Sequence, residues 1–159
     1  MNPLVTTDWL ASRLGDAGTV ILDATLPPVG AAPKVDTHVR YLENHIPGAV
    51  FFDIEELSDH SNPLPHMLQT AEDFSRSMSD LGVGNDMIIV VYEQDGVFSA
   101  PRAWWMLRTM GARKVHILDG GLPAWIEAGL PIESGEVRRV PKGFLAKLGA
   151  LEFERLRDR

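Results

Sequence analysis

Short apolar runs separated by amphipathic segments dominate the pattern along this chain. Four runs are rich in β-branched or aromatic residues and do not alternate cleanly, which is typical of strands covered on both faces. They lie at residues 19–23 (TVILD), 49–53 (AVFFD), 87–92 (MIIVVY) and 114–118 (KVHIL). Because helical patterns fill the gaps between them, the sequence predicts βαβ units around a mainly parallel sheet.

Helix start and stop signals predict four helices between these strands. They begin near Thr7, at the capping Thr70, at the capping Ser99 and at Leu122. The third helix has the body AWWMLRTM, which is apolar nearly all round and predicts burial on every side. Residues 26–44 show few periodic signals and are expected to form a long surface loop. The predicted fold class is therefore α/β, a three-layer α/β/α domain.

Charge changes sharply along the chain. Residues 136–159 carry seven basic and four acidic residues, whereas residues 1–135 carry eight basic and 18 acidic ones. Gly135, Pro141 and Gly143 lie at this change, which is typical of a boundary. We therefore expect a domain over residues 1–135, followed by a linker or tail over residues 136–159.

Composition excludes several classes of function. The chain has 159 residues, no cysteine and a formal net charge of −7, which argues against a nucleic-acid binder. Without cysteine it can form no disulfide framework, thiolate metal site or cysteine nucleophile of its own. No apolar run approaches the roughly 20 residues of a membrane span, and the start lacks signal-peptide features. A cytoplasmic location without membrane partners is expected.

The loop after the strand at 87–92 carries the most informative polar residues. A strand, a short glycine-containing turn and a capped helix would ordinarily form a nest of backbone N–H groups for an anion. Here Glu93 and Asp95 stand where that anion would lie. Their carboxylates can accept these N–H groups and interact with the helix dipole. We therefore expect an anion cradle that the chain itself occupies.

Three segments in order resemble the rhodanese family. Residues 41–52 (YLENHIPGAVFF) match its first signature, an aromatic residue followed by three residues and His-Ile-Pro-Gly-Ala. Residues 99–111 (SAPRAWWMLRTMG) and 115–125 (VHILDGGLPAW) resemble the N-terminal half of two-domain sulfurtransferases. The second signature fits in part, since Leu122 and Ala124 depart from its usual aromatic and acidic choices. The resemblance covers roughly residues 4–135 and implies a rhodanese-like domain.

In that family the active half carries a cysteine in the corresponding loop, where backbone N–H groups stabilise a persulfide. Aligning the loop's Gly-Val with Gly96 and Val97 places the cysteine position at Glu93. The resemblance thus implies a non-catalytic N-terminal half whose partner is a second rhodanese domain carrying the cysteine. It implies no cofactor. The alternatives are a non-enzymatic rhodanese-like interaction or regulatory module and, more weakly, a hydrolase using carboxylates and histidines.

Glu55 and His66 are the candidate catalytic residues of this half, auxiliary to the partner's cysteine. Family members that use 3-mercaptopyruvate have an acidic residue and a histidine at these positions, which form a triad with a serine of the catalytic loop. Glutamate stands here where those enzymes carry aspartate. His66 favours 3-mercaptopyruvate over thiosulfate, because breaking its C–S bond leaves an enolate that needs a proton. Without the resemblance, a solvated loop histidine is the favoured interpretation of His66.

The remaining polar and aromatic candidates have mainly structural interpretations. His45 precedes Pro-Gly and is expected to hydrogen-bond its own loop. Arg102 could bind a substrate carboxylate, but pairing with Glu93 or Asp95 is favoured. The tryptophans are expected in the core or at an interface between domains. The histidines show no ligand spacing, and no metal site is expected.

Overall fold

A parallel five-stranded sheet forms the centre of the protein. The computed structural model describes residues 3–26, 36–54, 57, 69–94 and 99–146. Within these residues the strand order is β1-β5-β4-β2-β3, and every neighbouring pair is parallel. The strands are β1 (Leu4–Val5), β2 (Thr19–Asp23), β3 (Val50–Phe51), β4 (Ile88–Tyr92) and β5 (Lys114–Leu118). The predicted parallel sheet is confirmed.

Helices cover both faces of this sheet. The described residues form α1 (Thr7–Ala11), α2 (Thr37–Glu43), α3 (Ala71–Leu81), α4 (Ala100–Thr109) and α5 (Gly121–Glu127). One apolar cluster joins α3 and α4 to the sheet through Phe74 and Met106, and a second joins α1, α2 and α5 through Leu10, Tyr41 and Trp125. The three-layer α/β/α fold is therefore confirmed. None of the helices in the described part of the chain is long and apolar enough to cross a membrane.

Helix α3 follows its local sequence signals. The Thr70 hydroxyl accepts a hydrogen bond from the Asp73 N–H at 3.2 Å, as an N-cap does. Gly82 ends the helix in the left-handed conformation at φ 81°. A Cβ atom at Gly82 would lie 2.5 Å from the Arg139 Cβ, so both the backbone conformation and the available space require glycine.

Helix α2 corrects the prediction of a long loop over residues 26–44, of which residues 27–35 lie outside the described residues. Asp36 caps it, since its Oδ1 accepts from the N–H groups of His38 and Val39 at 3.1 and 3.2 Å. Only Tyr41 of this helix is buried, so the helix has no apolar stripe that a sequence pattern could reveal. Two strands also differ from expectation, because β1 was not predicted and β3 is shorter than residues 49–53.

Residues 139–146 lie against α3 and the glycine that ends it. The Lys142 N–H donates to the Ser79 carbonyl at 3.0 Å, and the Phe144 N–H donates to the Ser79 hydroxyl at 3.0 Å. The Phe144 side chain is buried and meets Phe74 edge to face, with ring centroids 5.8 Å apart. This part of the expected tail is therefore held against the domain. The boundary predicted after residue 135 stays a prediction, and residues 147–159 lie outside the described residues.

Candidate functional site at the carboxyl ends of the strands

The carboxylate of Glu93 lies at the N-terminus of α4. Glu93 directly follows β4 and is only 3% exposed. Its Oε2 accepts from the Ser99 N–H at 3.0 Å and from the Ser99 hydroxyl at 2.7 Å, and its Oε1 accepts from the Ala100 N–H at 3.4 Å. Negative charge at a helix N-terminus is favourable because it faces the positive end of the helix dipole. The expectation of an internally occupied cradle is thus confirmed for Glu93, while Asp95 lies outside the described residues.

Ser99 has a different role from the predicted cap. Its side chain makes no capping hydrogen bond to α4. The hydroxyl donates to Glu93 instead and accepts from the Leu26 N–H at 3.3 Å. The Glu93 carboxylate accepts from the first N–H groups of α4, and the Ser99 oxygen accepts from Leu26 instead of from the helix, which explains the correction. Ser99 therefore connects the segment after β2 to the Glu93 carboxylate.

A buried polar network joins the carboxyl ends of β2 and β4. Asp23 is fully buried, and its Oδ1 accepts from the Thr25 N–H at 3.1 Å and the Thr25 hydroxyl at 2.6 Å. Its Oδ2 accepts from the Gln94 Nε2 at 2.9 Å, and the Gln94 N–H donates to the Thr25 hydroxyl at 2.9 Å. The network fixes the backbone next to Glu93. It was not predicted, although a carboxylate ending a wholly apolar strand is a signal that could have indicated it.

Burial raises the pKa of Asp23, and the hydrogen bonds from Thr25 and Gln94 oppose this only in part. A carboxyl whose pKa is raised on folding stabilises the protein most in acid. This contribution declines as pH rises from the pKa of the carboxyl in the unfolded state through its pKa in the folded state. We expect the stability advantage of the wild type over Asp23→Asn to shrink as pH rises above about 4. Urea unfolding of both proteins across this range measures it.

Asp16 provides a control of opposite sign. This exposed carboxylate accepts from the Thr19 hydroxyl at 2.7 Å, which lowers the pKa of Asp16. The advantage of the wild type over Asp16→Asn should therefore grow as pH rises toward about 4 and stay constant above it. An Asp23→Asn difference that also grows with pH would contradict the assigned cause.

The loop that contains the His-Ile-Pro-Gly-Ala motif is anchored by a buried histidine. The His45 ring is fully buried, with Nδ1 2.9 Å from the Ile46 carbonyl oxygen and Nε2 2.7 Å from that of Gly135. It also stacks on Tyr41, with ring centroids 4.4 Å apart. The Tyr92 hydroxyl accepts from the Ile46 N–H at 3.2 Å, which ties this loop to β4. The expected structural role of His45 is confirmed.

Arg102 does not pair with Glu93, so this part of the prediction is wrong. Its guanidinium lies over the Trp105 ring, 4.8 Å from the centroid, and its Nε is buried without a hydrogen-bond partner. Burial lowers the pKa of Arg102. The Glu93 carboxylate is engaged with Ser99 and Ala100 instead, which explains the missing pair. Binding of a substrate carboxylate by Arg102 stays a prediction.

The tryptophans divide between the core and the surface. Trp125 is fully buried and donates from Nε1 to the Pro131 carbonyl at 2.6 Å. Trp104 is partly buried and donates to the Val115 carbonyl at 2.9 Å. Trp105 is 38% exposed, so the prediction that α4 is buried on every side is wrong. One face of α4 reaches the surface.

Glu55 and His66 lie outside the described residues, and their auxiliary roles stay predictions. Among the residues that the structure describes, no group of three or more His, Asp or Glu side chains is placed to hold a metal ion. In the described part of the chain, this edge of the sheet carries the Glu93 carboxylate in its cradle, the Asp23 network and, on α4, the Arg102–Trp105 pair.

The sequence profile of the rhodanese-like domain matches residues 6–128, and the chain belongs to this family. It is 50% identical to the 3-mercaptopyruvate sulfurtransferase of Escherichia coli K12 over 139 residues, which cover 87% of this chain and 49% of that protein. The human 3-mercaptopyruvate sulfurtransferase is 42% identical over 91% of this chain and 50% of its own length.

A plant relative and a solved structure extend the comparison. Thiosulfate/3-mercaptopyruvate sulfurtransferase 2 of Arabidopsis thaliana is 45% identical over 84% of this chain and 38% of its own length. The crystal structure of SseA from Escherichia coli, described with the fold and catalytic mechanism of 3-mercaptopyruvate sulfotransferases, superposes with a TM-score of 0.88 at 47% identity. That match covers 93% of this chain and 56% of SseA. The relatives are sulfurtransferases, and the chain spans about half the length of those it matches, or less.

Proposed function

We propose that this chain is the non-catalytic, N-terminal-type half of a two-domain sulfurtransferase that takes sulfur from 3-mercaptopyruvate or thiosulfate. The similarity to sulfurtransferases over about half of their length supports this assignment. The observation that carries it is the Glu93 carboxylate, which accepts the donors of the cradle at the N-terminus of α4. In the catalytic half a cysteine takes this position.

Sulfur transfer needs a thiol that this chain does not contain. The thiolate attacks the sulfur of 3-mercaptopyruvate, the carbon–sulfur bond breaks, and its electron pair leaves on pyruvate enolate. The enolate then takes up a proton to become pyruvate, and the cysteine is left as a persulfide. An acceptor such as cyanide removes the outer sulfur as thiocyanate and restores the thiolate. A carboxylate cannot replace the thiolate in the first step.

This half would contribute Glu55 and His66 to the shared site. A histidine titrates near neutral pH and can deliver the proton that the enolate needs. A carboxylate beside it would orient the ring and stabilise its protonated form. Residues 1–135 would form the domain, and the segment after residue 135 would lead toward the second one, which carries the cysteine.

The test compares the chain alone with the chain joined to a catalytic half. Residues 1–159 are fused ahead of the part of the Escherichia coli 3-mercaptopyruvate sulfurtransferase that lies beyond the matched segment. With either donor and cyanide, the fusion should form thiocyanate and the chain alone should form none above the uncatalysed reaction. The control fusion carries serine in place of the partner's nucleophilic cysteine and should also be inactive.

Either of two results would contradict the proposal. Turnover by the chain alone would show a nucleophile other than the partner's cysteine. A fusion that folds but transfers no sulfur would favour the non-enzymatic interaction module instead.

A further inference from the structure

Arg102 is half-buried, and no carboxylate of the described residues pairs with its guanidinium. Its Nε is buried without a hydrogen-bond partner, and its guanidinium contacts the Trp105 ring at 4.8 Å. A buried donor that lacks an acceptor costs free energy, and a desolvated charge without a counter-charge costs more. The arrangement becomes favourable when an external acceptor meets the guanidinium.

Trp105 provides apolar area beside this charge. It lies one turn after Arg102 on α4 and keeps 38% of its surface exposed. Tryptophan and arginine are enriched among the residues that dominate binding energy at protein interfaces. An exposed tryptophan in contact with an unpaired arginine is therefore typical of a surface that a partner covers.

The charges on α4 favour an acidic partner group. The helix contains Arg102 and Arg108 and no acidic residue, although the whole chain has a net charge of −7. Arg108 donates to the Ala112 and Arg113 carbonyls, so Arg102 is the charge beside Trp105 that a partner group can meet. A carboxylate is the group that matches a guanidinium in both charge and shape.

The position of the guanidinium favours a protein partner over a small sulfur donor. Stacking on Trp105 places it beside the second turn of α4, whereas the Glu93 carboxylate lies at the first N–H groups of the helix. The Glu93 carboxylate fills the cradle of this chain, so no small donor is held there. A loop of a folded partner can cover the ring and offer a carboxylate to Arg102 together.

We infer that Arg102 and Trp105 form the docking surface for the second rhodanese-like domain, which places a carboxylate against the Arg102 guanidinium. The inference rests on the proposed function, since that function supplies the partner. Arg102 and Trp105 would act through the relative position of the two halves. Neither would touch the sulfur donor.

Calorimetry of the fusion and of the chain alone tests the docking surface. The wild-type fusion should unfold in a single transition because the docked halves stabilise each other. Each of the single variants Arg102→Met and Trp105→Ala should split the unfolding of the fusion into two transitions. The lower transition should lie at the melting temperature of the chain alone. In the chain alone, Arg102→Met should not lower the melting temperature, because it removes a buried Nε donor without a hydrogen-bond partner and methionine keeps apolar contact with Trp105. Arg76→Gln, at an exposed arginine of α3 that pairs with Asp73, is the matched control and should leave one transition.

Sulfur transfer by the same fusions separates this inference from the proposed function. If the wild-type fusion is active and Arg102→Met still unfolds in one transition, the docking surface is wrong and the function stands. Two transitions in the wild-type fusion would also overturn it. If Arg102→Met raises the KM for 3-mercaptopyruvate while the fusion still unfolds in one transition, Arg102 binds the substrate carboxylate instead. A wild-type fusion without activity counts against the proposed function, whatever its unfolding shows.

Discussion

Replacing His66 by alanine in the two-domain fusion should slow turnover of 3-mercaptopyruvate by about 10²–10⁴-fold, the usual contribution of a general acid. Turnover of thiosulfate should change far less. The reason is chemical: 3-mercaptopyruvate leaves an enolate that must be protonated, whereas thiosulfate leaves sulfite, a stable anion. Steady-state rates with both donors, measured by thiocyanate formation, give the ratio directly.

Two further variants show whether the loss belongs to proton transfer. Glu55→Gln should give a weaker form of the same selectivity, because the amide keeps part of the orientation of the histidine. His38→Ala removes an exposed histidine of α2 and should change neither rate. Equal losses with both donors for His66→Ala, at unchanged melting temperature, would contradict a catalytic role and leave His66 as a structural residue.

Replacing Glu93 by alanine should lower the free energy of unfolding of the isolated chain by roughly 3–5 kcal/mol. The substitution removes the acceptor of the Ser99 and Ala100 N–H groups and of the Ser99 hydroxyl, all at a buried position. It also removes negative charge from the N-terminus of α4, where that charge is favourable. Urea unfolding of the wild type and the variant measures the difference.

Glu93→Gln separates the hydrogen bonds from the charge. The amide keeps one oxygen acceptor, so the loss should be smaller than for alanine. Glu127→Ala, at an exposed position at the end of α5, should change stability little. If Glu93→Ala unfolded at the same urea concentration as the wild type, the carboxylate could not be the group that holds the cradle together.

Elements with strong local signals were predictable from the amino-acid sequence. β2 and β5 were predicted with their observed bounds, since a short apolar run rich in β-branched residues is typical of a strand that is covered on both faces. The bounds of α3 followed from Thr70 and Gly82, because a cap and a left-handed glycine act within one turn of the helix. Glu93 in the cradle was predictable for the same reason, since it lies only six residues from Ser99.

Contacts between distant segments could not be predicted in the same way. The Asp23 network depends on the parallel register of β2 and β4, which brings Gln94 to a carboxylate 71 residues away. His45 is held by the Gly135 carbonyl, 90 residues further along the chain. Neither contact has a signature within the length of one helix or strand.

Residue types and near neighbours were enough to predict the α/β class, the strands β2, β4 and β5, the absence of a thiol and the carboxylate in the cradle. The contacts of residues 139–146 with α3, and of Arg102 with Trp105 rather than Glu93, depend on how the whole chain packs. These groups compete for partners from distant segments. Glu93 already accepts hydrogen bonds from Ser99 and Ala100. The acceptors that remain for a cation such as Arg102 depend on how the helix packs.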